Sequence, residues 1–527
     1  MNNRPKSTHW ADITAEKIIR EKGDKDVYTC ASGITPSGTV HIGNFREIIS
    51  VELTVRALRD LGKNVRFIYS WDDYDVFRKV PKNMPKQELL EGYLRKSIDI
   101  VPDVLGDEVS FAKANEKRVE SILPKVGIFP EYIYQADKYR LSTYAKGMRD
   151  ALEHEDKIRA ILNQHRKEDL GPDWKPVSFF CSSCDKDDTT LTGWNGEWDV
   201  TYKCECGHTE TVDLRESKGA KLFWRIDWPM RWAFEGVDFE PAGKEHHSAG
   251  GSFDTAKEIV SEVYGCEAPV TFKYDFIRSK GGGGKLSSST GEVITVDTAL
   301  EIYQPEIVRF LFAGTRPNSE FAISFDLDVL KIYEDYDKCE RTYFSKPETD
   351  KQIKKWAKDA RIYELSQVGD VPKEMPYQAQ IRQLVTLLSI HNGDIPSVIE
   401  ALGDVKEFQV ERLTKRCECA LNWANNYAPE DMTFTINDGS SDPLDVNDSE
   451  RVILQKLHKT VEEFLGNITE KEFGVKVYDI ARELEIETND MFPLVYRAVI
   501  GKEKGPRIVS FLQTIGREKL LKVLKQY

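Results

Sequence analysis

This 527-residue chain lacks several hallmarks of exported and membrane proteins. It has no run of about 18 apolar residues, which a membrane-spanning helix requires, so we expect no membrane association. Residues 1–6 contain no apolar stretch that could begin a secretory signal, so we expect a cytoplasmic protein. Its nine cysteines are too sparse for a secreted disulfide scaffold. Hydrophobic residues are 40% and charged residues 31% of the chain, which indicates folded domains rather than disorder.

Positive charge is also scarce, because 74 Lys and Arg residues face 88 Asp and Glu residues and leave a net charge of −14. This balance disfavours a nucleic-acid partner, since phosphate contacts use basic surfaces. Net charge is a sum over the whole surface, however, and need not describe one face. Residues 502–525 carry seven basic and two acidic residues, a local excess of five positive charges. The sequence therefore predicts segregated charge, with a basic track available to a polyanion.

A loop rich in glycine, proline and serine joins a predicted strand at 27–31 to a predicted helix at 41–61. A helix N-terminus presents unpaired N–H groups to an anion, and Gly38 and Gly43 permit close approach of a ligand. His41 can donate to a phosphate oxygen. An ordinary N-cap loop is the alternative, but the length of the run and its place at a strand–helix junction favour phosphate binding. A second predicted strand at 65–70 completes a β-α-β unit, which indicates a parallel sheet.

A second loop at 280–291 combines four consecutive glycines with Lys285 and a run of serines. Glycine gives mobility, and lysine and serine supply donors for a polyphosphate. By itself the segment is equally well explained as a flexible linker. Two such loops about 240 residues apart in one chain are a more specific signal.

Four of the cysteines form a Cys-x2-Cys and a Cys-x-Cys pair at 181, 184, 204 and 206, within a segment predicted to form short strands. Thiolates in two close pairs suit a tetrahedral zinc ion, and four of them close the site, which indicates a structural metal. His208 could replace one cysteine. Metal binding would fold a segment that has little core of its own. Buried free thiols are the alternative.

Helical patterns are predicted over 86–101, 107–122 and 142–167, and α/β character resumes at 221–280. Beyond residue 345 the chain reads as successive helices, interrupted by a polar link at 437–449. We therefore predict four segments: 1–100, the first half of an α/β domain; 101–220, an insertion; 221–345, the second half of that domain; and 346–527, an α-helical domain.

The two loops resemble the HIGH and KMSKS signatures of class I aminoacyl-tRNA synthetases. The chain is more closely similar to the archaeal-type class I lysyl-tRNA synthetases, and the similarity extends over essentially its whole length. The stretches that carry this resemblance are residues 32–38, 41–47, 70–75, 224–232, 243–247 and 250–252.

This resemblance implies an α/β fold: a Rossmann-like parallel-sheet nucleotide-binding catalytic domain with a zinc-containing insertion, followed by an all-α helix-cage domain that binds the anticodon. The implied reaction is ATP-dependent ligation of L-lysine to tRNA(Lys) through lysyl-adenylate, releasing AMP and pyrophosphate. ATP, Mg²⁺ and structural Zn²⁺ are the implied cofactors, and no DNA partner is expected. Activation that requires bound tRNA, and transfer to the 2′-hydroxyl of the terminal adenosine, are also implied.

The resemblance also implies roles for particular residues. The implied catalytic residues are His41, Asn44 and Lys285. The implied ATP-binding residues are Pro36, Ser37, Gly38, His41, Gly43, Asn44, Lys285, Leu286, Ser287, Ser288 and Ser289. The implied lysine-binding residues are Gly33, Thr35, Asp73, Trp224 and His246, with Asp75 as an alternative to Asp73 for the ammonium. The implied metal ligands are Cys181, Cys184, Cys204 and Cys206.

Two residues depart from the family pattern, of which Asn44 is tolerated in this subfamily, and three alternative functions stay open. Asn44 stands where HIGH has its second histidine, and Thr290 replaces a lysine of the second signature, which puts the grip on pyrophosphate in doubt. A glutamyl- or glutaminyl-type class I synthetase shares the fold and both loops but should offer arginine to a substrate carboxylate. A catalytically dead tRNA-binding paralogue is suggested only by Thr290. A small nucleotidyltransferase would leave the helical C-terminal region without a role.

Overall fold

The computed structural model describes residues 7–82, 84–106, 108–275, 277–279, 294–437 and 444–527. The chain forms two compact units. The first comprises Met1–Ala299, Pro305–Ser324 and Cys339–Val371, and the second comprises Leu300–Gln304, Phe325–Lys338 and Pro372–Tyr527. No helix in the described part is long and apolar enough to cross a membrane. The boundaries of the four segments proposed from the sequence stay a prediction.

The strands are β1 (Tyr28–Ile34), β2 (Val65–Trp71), β3 (Glu131–Tyr134), β4 (Val177–Phe179), β5 (Thr189–Trp194), β6 (Asp199–Cys204), β7 (Thr209–Asp213), β8 (Ala220–Leu222), β9 (Val237–Phe239), β10 (Ala242–Gly243), β11 (Lys273–Tyr274), β12 (Ile277–Ser279) and β13 (Phe321–Ile323). The first-unit helices up to residue 262 are α1 (Trp10–Lys22), α2 (Ile42–Asp60), α3 (Gln87–Glu91), α4 (Phe111–Ile122), α5 (Gln135–Arg140), α6 (Ala145–Glu153), α7 (Glu155–Asn163), α8 (Trp224–Glu235) and α9 (Ser252–Glu262). The later helices are α10 (Val296–Ile302), α11 (Pro305–Ala313), α12 (Asp328–Tyr343), α13 (Asp350–Ser366), α14 (Ile381–Ile390), α15 (Ile395–Ala401), α16 (Val410–Asn426), α17 (Asp448–Phe464), α18 (Glu470–Glu483), α19 (Thr488–Ile500), α20 (Ile508–Ile515) and α21 (Arg517–Leu524).

A four-stranded parallel sheet with the order β3-β2-β1-β9 forms the centre of the first unit. β1 and β2 pair from Tyr28 opposite Val65 to Ile34 opposite Trp71. The connection from β1 through α2 to β2 runs to one side of β1, whereas β9 lies on its other side. The carboxyl ends of β1 and β9 therefore flank a switch point, which is where open α/β sheets bind ligands. The predicted parallel α/β fold is confirmed.

The long helix α2 holds the sheet from one side, packing against β1, β2, α1 and α11. Its apolar residues, such as Ile49, Leu53 and Leu58, are fully buried. Buried Glu52 accepts a hydrogen bond from Arg309 Nη2 of α11 at 2.6 Å. The charge pair and apolar packing fix α2, and with it the loop that precedes the helix.

The insertion between β3 and α8 has its own small sheets. β5, β6 and β7 form an antiparallel sheet, and β4 pairs antiparallel with β8 at its base. Phe179, Val200 and Tyr202 lie in its core, with Phe179 stacked on Tyr202 at a centroid distance of 4.7 Å. The short strands predicted for this segment are present.

Two predicted helices are shorter in the structure. The helix predicted over 142–167 is divided at His154, which separates α6 from α7. The helix predicted over 86–101 is reduced to α3 and a 3-10 turn at Ile98–Ile100, because Arg95 has φ of 71° and residues 95–97 run alongside residues 75–77 as an extended segment. Arg95 cannot continue a right-handed helix in this conformation.

The second unit is helical, which confirms the prediction for the C-terminal region. Helices α17 to α21 surround an apolar core that includes Leu454, Phe473 and Leu512. Capping boxes begin α17 at Asn447 and α18 at Thr469, where each side chain accepts from a backbone N–H of the first turn. These caps explain why the two helices start at these residues.

Candidate active site

His41 is the N-cap of α2, and its ring orientation is fixed by the first helical turn. Its Nδ1 accepts a hydrogen bond from the Asn44 backbone N–H at 3.2 Å, and Asn44 Oδ1 accepts from the His41 backbone N–H at 3.3 Å. In the neutral ring, an accepting Nδ1 places the proton on Nε2. A Cβ on Gly43 would lie 2.8 Å from the His41 ring, so a side chain there would displace it. The helix start thus presents an N–H donor beside its dipole.

A cleft of about 470 Å³ opens between the ends of β1 and β2 and the start of α2. It brings together seven of the residues predicted from the sequence to bind ATP or lysine: Gly33, Thr35, His41, Gly43, Asn44, Trp224 and His246. Ser37 and Gly38 line an adjoining groove, which shares Thr35 with the cleft. Pro36 contributes its carbonyl oxygen to Asn115 Nδ2 at 3.3 Å. The cleft is the place where the two predicted subsites meet.

The predicted site includes five residues of the second signature loop: Lys285, Leu286, Ser287, Ser288 and Ser289. These residues and Thr290 lie outside the described part of the chain. Described residues on either side of that loop lie at the cleft. Ile277 lines it, the carbonyl of Ile294 accepts from the Ile42 backbone N–H at 2.9 Å, and Thr295 forms a β-bridge with His41.

The structure does not bring Asp73 into the cleft. Its side chain is 5% exposed, and Oδ1 accepts from the Ala136 backbone N–H at 2.8 Å. Burial raises the Asp73 pKa to about 8. Asp72 and Asp75 line the cleft instead. Asp75 Oδ2 accepts from Thr35 Oγ1 at 3.0 Å, and Asp72 Oδ1 accepts from Arg231 Nη1 at 2.6 Å.

Glu47 is a buried carboxylate that the sequence reasoning missed. Its Oε1 accepts from Ser32 Oγ at 2.8 Å and from the Gly33 backbone N–H at 3.1 Å, and Oε2 accepts from Tyr274 OH at 2.5 Å. Burial raises the pKa of Glu47. This residue ties α2 to the end of β1 and to β11, which fixes the floor of the cleft. A glutamate on the buried face of α2 was the available signal.

A smaller cavity of about 90 Å³ branches from the cleft behind Gly33, Trp224 and His246, and we call it the inner chamber. Its wall is formed by α8, where Trp224 stacks on Trp228 at a centroid distance of 5.3 Å and an angle of 14°. Trp232 continues the wall. These indoles repeat every four residues, so one face of a helix supplies them.

The inner chamber is rich in carboxylates. It is lined by Arg231 and by Glu47, Asp72, Glu235 and Glu240. Arg231 is already bound, to Asp72 at 2.6 Å and to Asp227 at 3.1 Å. Glu240 accepts from Trp232 Nε1 at 2.5 Å, and burial raises the pKa of Glu240 to about 7. A buried carboxyl with a raised pKa gains from a cation brought beside it, so the chamber favours a cationic ligand.

Glu235 strengthens this charge preference. One of its oxygens pairs with Arg66 Nη1 at 2.8 Å. The other, Oε1, is buried without a hydrogen-bond partner in the part of the chain that the structure describes. The sequence reasoning missed both Glu235 and Glu240. The four-residue spacing of 224, 228 and 232 is a usable sequence signal for the helix face that these two carboxylates meet.

The four predicted metal ligands converge. Their Sγ atoms lie within 4.8 Å of one another, with Cys181 to Cys206 at 3.8 Å and Cys184 to Cys204 at 3.7 Å. Tetrahedral zinc with Zn–S bonds of about 2.3 Å needs sulfur pairs about 3.8 Å apart, so the cluster fits zinc. No other group of three or more such side chains is present among the described residues.

His208 lies beside the cysteine cluster and is engaged with other groups. Its Nε2 lies 3.0 Å from Ser182 Oγ and 3.4 Å from Glu210 Oε2. Tyr202 OH donates to the same Glu210 oxygen at 2.8 Å. Since all four cysteines are already convergent, His208 is better explained as a polar support around the metal cluster than as a ligand.

The parallel sheet, the capped helix start and the cleft between them are those of a class I tRNA synthetase. The family model described as "tRNA synthetases class I (K)" matches residues 8–369, and the chain belongs to this family.

Full-length relatives agree. A lysine–tRNA ligase of Treponema pallidum is 50% identical, with 99% of each chain covered. One of Borreliella burgdorferi is 48% identical and covers 99% of this chain and 100% of its own. One of Pyrococcus horikoshii is 41% identical, with 98% of this chain and 99% of its own covered. The resemblance recognised in the sequence, including its archaeal members, is confirmed.

Proposed function

We propose that this chain is an ATP-dependent lysine–tRNA ligase. The observation that carries the proposal is the set of lysine–tRNA ligases that match it from end to end at 41% to 50% identity. The inner chamber supports lysine as the amino acid. Its indoles suit an aliphatic stem and its carboxylates suit an ammonium group.

The chamber argues against glutamate or glutamine as the substrate. A substrate carboxylate needs an available cation, and Arg231 is paired with Asp72 and Asp227. Four carboxylates against one guanidinium would repel a further carboxylate. We propose that Glu240, which faces the indoles of α8, receives the lysine ammonium. This proposal replaces Asp73, which lies outside the cleft.

In the proposed first step, an oxygen of the lysine carboxylate attacks the α-phosphorus of ATP and pyrophosphate leaves. Catalysis comes from positioning and from stabilising the charge that develops on the phosphoryl oxygens. The Nε2–H of His41 and the N-terminus of α2 are the groups that supply this stabilisation. Asn44 holds the His41 ring in place. We also propose that Lys285 and residues 287–289 bind the leaving pyrophosphate. Mg²⁺ would arrive with ATP as the counter-ion of its phosphates.

In the proposed second step, a hydroxyl of the terminal tRNA nucleotide attacks the carbonyl of the adenylate and AMP leaves. A groove of about 730 Å³ adjoins the cleft, sharing Thr35, Asp75 and Arg78 with it. Its basic residues are Arg78, Lys79, Lys82 and Arg118. We propose that the 3′ end of tRNA(Lys) reaches the adenylate along this groove, because its phosphates need cations.

The test is aminoacylation of purified lysine tRNA with lysine, glutamate and glutamine in parallel. We expect charging with lysine alone. Charging with glutamate or glutamine would contradict the assignment of the inner chamber. Absence of charging together with absence of ATP binding in calorimetry would support a catalytically dead paralogue instead.

A further inference from the structure

The cysteine cluster and the cleft are joined by residues 95–99, which we call the strap. Its inner edge pairs with the loop after β2. The backbone N–H of Phe77 donates to Lys96 O at 2.7 Å, and that of Arg95 donates to Phe77 O at 2.9 Å. Further along, the N–H of Ile98 donates to Asp75 O at 2.9 Å. The strap therefore fixes the backbone of the loop that carries Asp75 into the cleft.

The outer edge of the strap is held by residues 181–188, which we call the knuckle. The Asp187 backbone N–H donates to Arg95 O at 2.9 Å. The Arg95 guanidinium lies 2.9 Å from both Asp187 Oδ1 and Asp188 Oδ1. Lys96 Nζ pairs with Asp185 at 3.3 Å. The strap is thus bonded to the cleft on one edge and to the knuckle on the other.

The strap and the knuckle each contain one residue in a backbone conformation that non-glycine residues rarely adopt. Arg95 has φ of 71° and Asp185 has φ of 61°. Such a residue persists only where its surroundings over-determine it. Arg95 meets this condition because its N–H is bonded to Phe77 and its C=O to Asp187. Without the knuckle, one of these two restraints is removed.

A second connection from the insertion reaches the same loop. Lys221 lies in β8, which pairs with β4 at the base of the insertion. Its Nζ donates to Tyr74 O at 3.0 Å and lies 3.6 Å from Asp75 Oδ1. Asp75 Oδ2 in turn accepts from Thr35 Oγ1. The insertion therefore restrains both the backbone and the carboxylate at position 75.

We propose that Arg95 is a positioning residue through which the knuckle, once folded around its metal, sets the place of Asp75 in the cleft. This inference rests on the proposed function, because it takes Thr35, which donates to Asp75, as part of a lysine site that continues from the cleft into the inner chamber. The insertion then does more than fold itself: the metal state of the cysteine cluster controls how well the cleft binds lysine.

The first test compares Arg95→Ala, Arg95→Gly and Arg95→Lys by steady-state aminoacylation. We expect Arg95→Ala to raise KM for lysine by about fivefold to tenfold, with KM for ATP and the zinc content unchanged. Arg95→Gly removes the backbone strain but should show the same rise in KM, since it also lacks the guanidinium. Arg95→Lys should restore part of the affinity. Arg215→Ala, which removes an exposed pair with Asp213 elsewhere in the insertion, is the matched control.

The second test does not use activity. Stripping the metal from the full-length protein with a chelator should speed hydrogen exchange at the amides of Phe77 and Ile98, and Arg95→Gly should do so with the metal in place. Unchanged exchange at these amides, while residues 181–188 exchange faster, would overturn the proposal. So would an unchanged KM for lysine in Arg95→Gly. A wild-type protein that never charges tRNA with lysine would instead contradict the proposed function. The hydrogen-exchange result would still test whether the metal-bound knuckle restrains the strap.

Discussion

His41 has two tasks at the start of α2, and substitution can separate them. Asparagine can cap a helix but lacks the Nε2 donor, whereas alanine can do neither. We expect His41→Ala and His41→Asn both to lower lysine-dependent ATP–pyrophosphate exchange, measured with tRNA present, by at least about tenfold. Only His41→Ala should also lower the free energy of unfolding, by about 1 kcal/mol in urea denaturation. Full exchange activity in His41→Asn would contradict a catalytic role for the ring.

Glu240 should give lysine binding a pH dependence. Burial raises the pKa of this carboxyl to about 7, so a growing share is neutral as the pH falls below that value. A neutral carboxyl attracts an ammonium ion less strongly, and KM for lysine should therefore rise as the pH falls from about 8 to about 6. Glu240→Gln should raise KM for lysine by about tenfold and flatten this profile. A profile that keeps its step in Glu240→Gln would assign the titration to another group.

Local sequence signals located most of the predicted cleft residues, and tertiary packing decided the others. His41, Gly43 and Asn44 lie in one continuous motif, so they reach the cleft together. Between Asp73 and Asp75 the sequence could not choose, because consecutive residues at a strand end point to opposite sides and the sequence does not show where that alternation stops; the structure places Asp75 in the cleft and Asp73 outside it. Glu240 follows β9, and its burial against Trp232 depends on the packing of α8 on the sheet.

Among elements, those stabilised by their own periodicity were predicted and those stabilised by distant partners were not. β1, α2 and β2 carry continuous apolar patterns, and α2 ends before Gly62 as expected. The strap at 95–99 has no such pattern, because its partners are the loop after β2 and the knuckle about 90 residues later. Propensity alone therefore assigned it to a helix.

The cysteine cluster should hold one zinc ion per chain. Removing one thiolate leaves three ligands, so Cys184→Ser should lose bound zinc and expose β5 to β7 to proteolysis, since metal binding and folding of such a segment are coupled. Cys266→Ser is the matched control, because Cys266 is exposed and lies outside the cluster. Metal content by elemental analysis and limited proteolysis are the measurements. A Cys184→Ser protein that keeps a full zinc complement would contradict the four-thiolate site.

At the scale of the whole molecule, the net charge of −14 does not show which basic residues stabilise the fold and which line the groove beside the cleft. In the second unit, several C-terminal cations bind backbone carbonyls. Lys502 Nζ donates to Thr433 O at 2.6 Å, Arg517 Nη2 to Glu462 O at 2.9 Å and Lys519 Nζ to Ile390 O at 3.0 Å. Part of the basic excess at 502–525 therefore stabilises the helical unit. The number of basic residues that a polyanion could contact there is smaller than the number in the sequence.

The basic residues of the groove beside the cleft allow a direct test of whether local positive charge binds tRNA. If Arg78 and Lys82 bind tRNA phosphates, affinity should weaken as salt is added, because each neutralised phosphate releases a counter-ion. Replacing both with alanine should weaken binding and lower the slope of log affinity against log salt by about 0.7 for each phosphate that is no longer neutralised. Lys157→Ala is the control, since Lys157 is paired with Glu262 on another surface. Affinities for lysine tRNA, measured by filter binding at several salt concentrations, decide the matter. An unchanged slope in the double variant would exclude phosphate binding in the groove. An equal loss of affinity in Lys157→Ala would show that the weakening comes from the change in net charge and not from the groove.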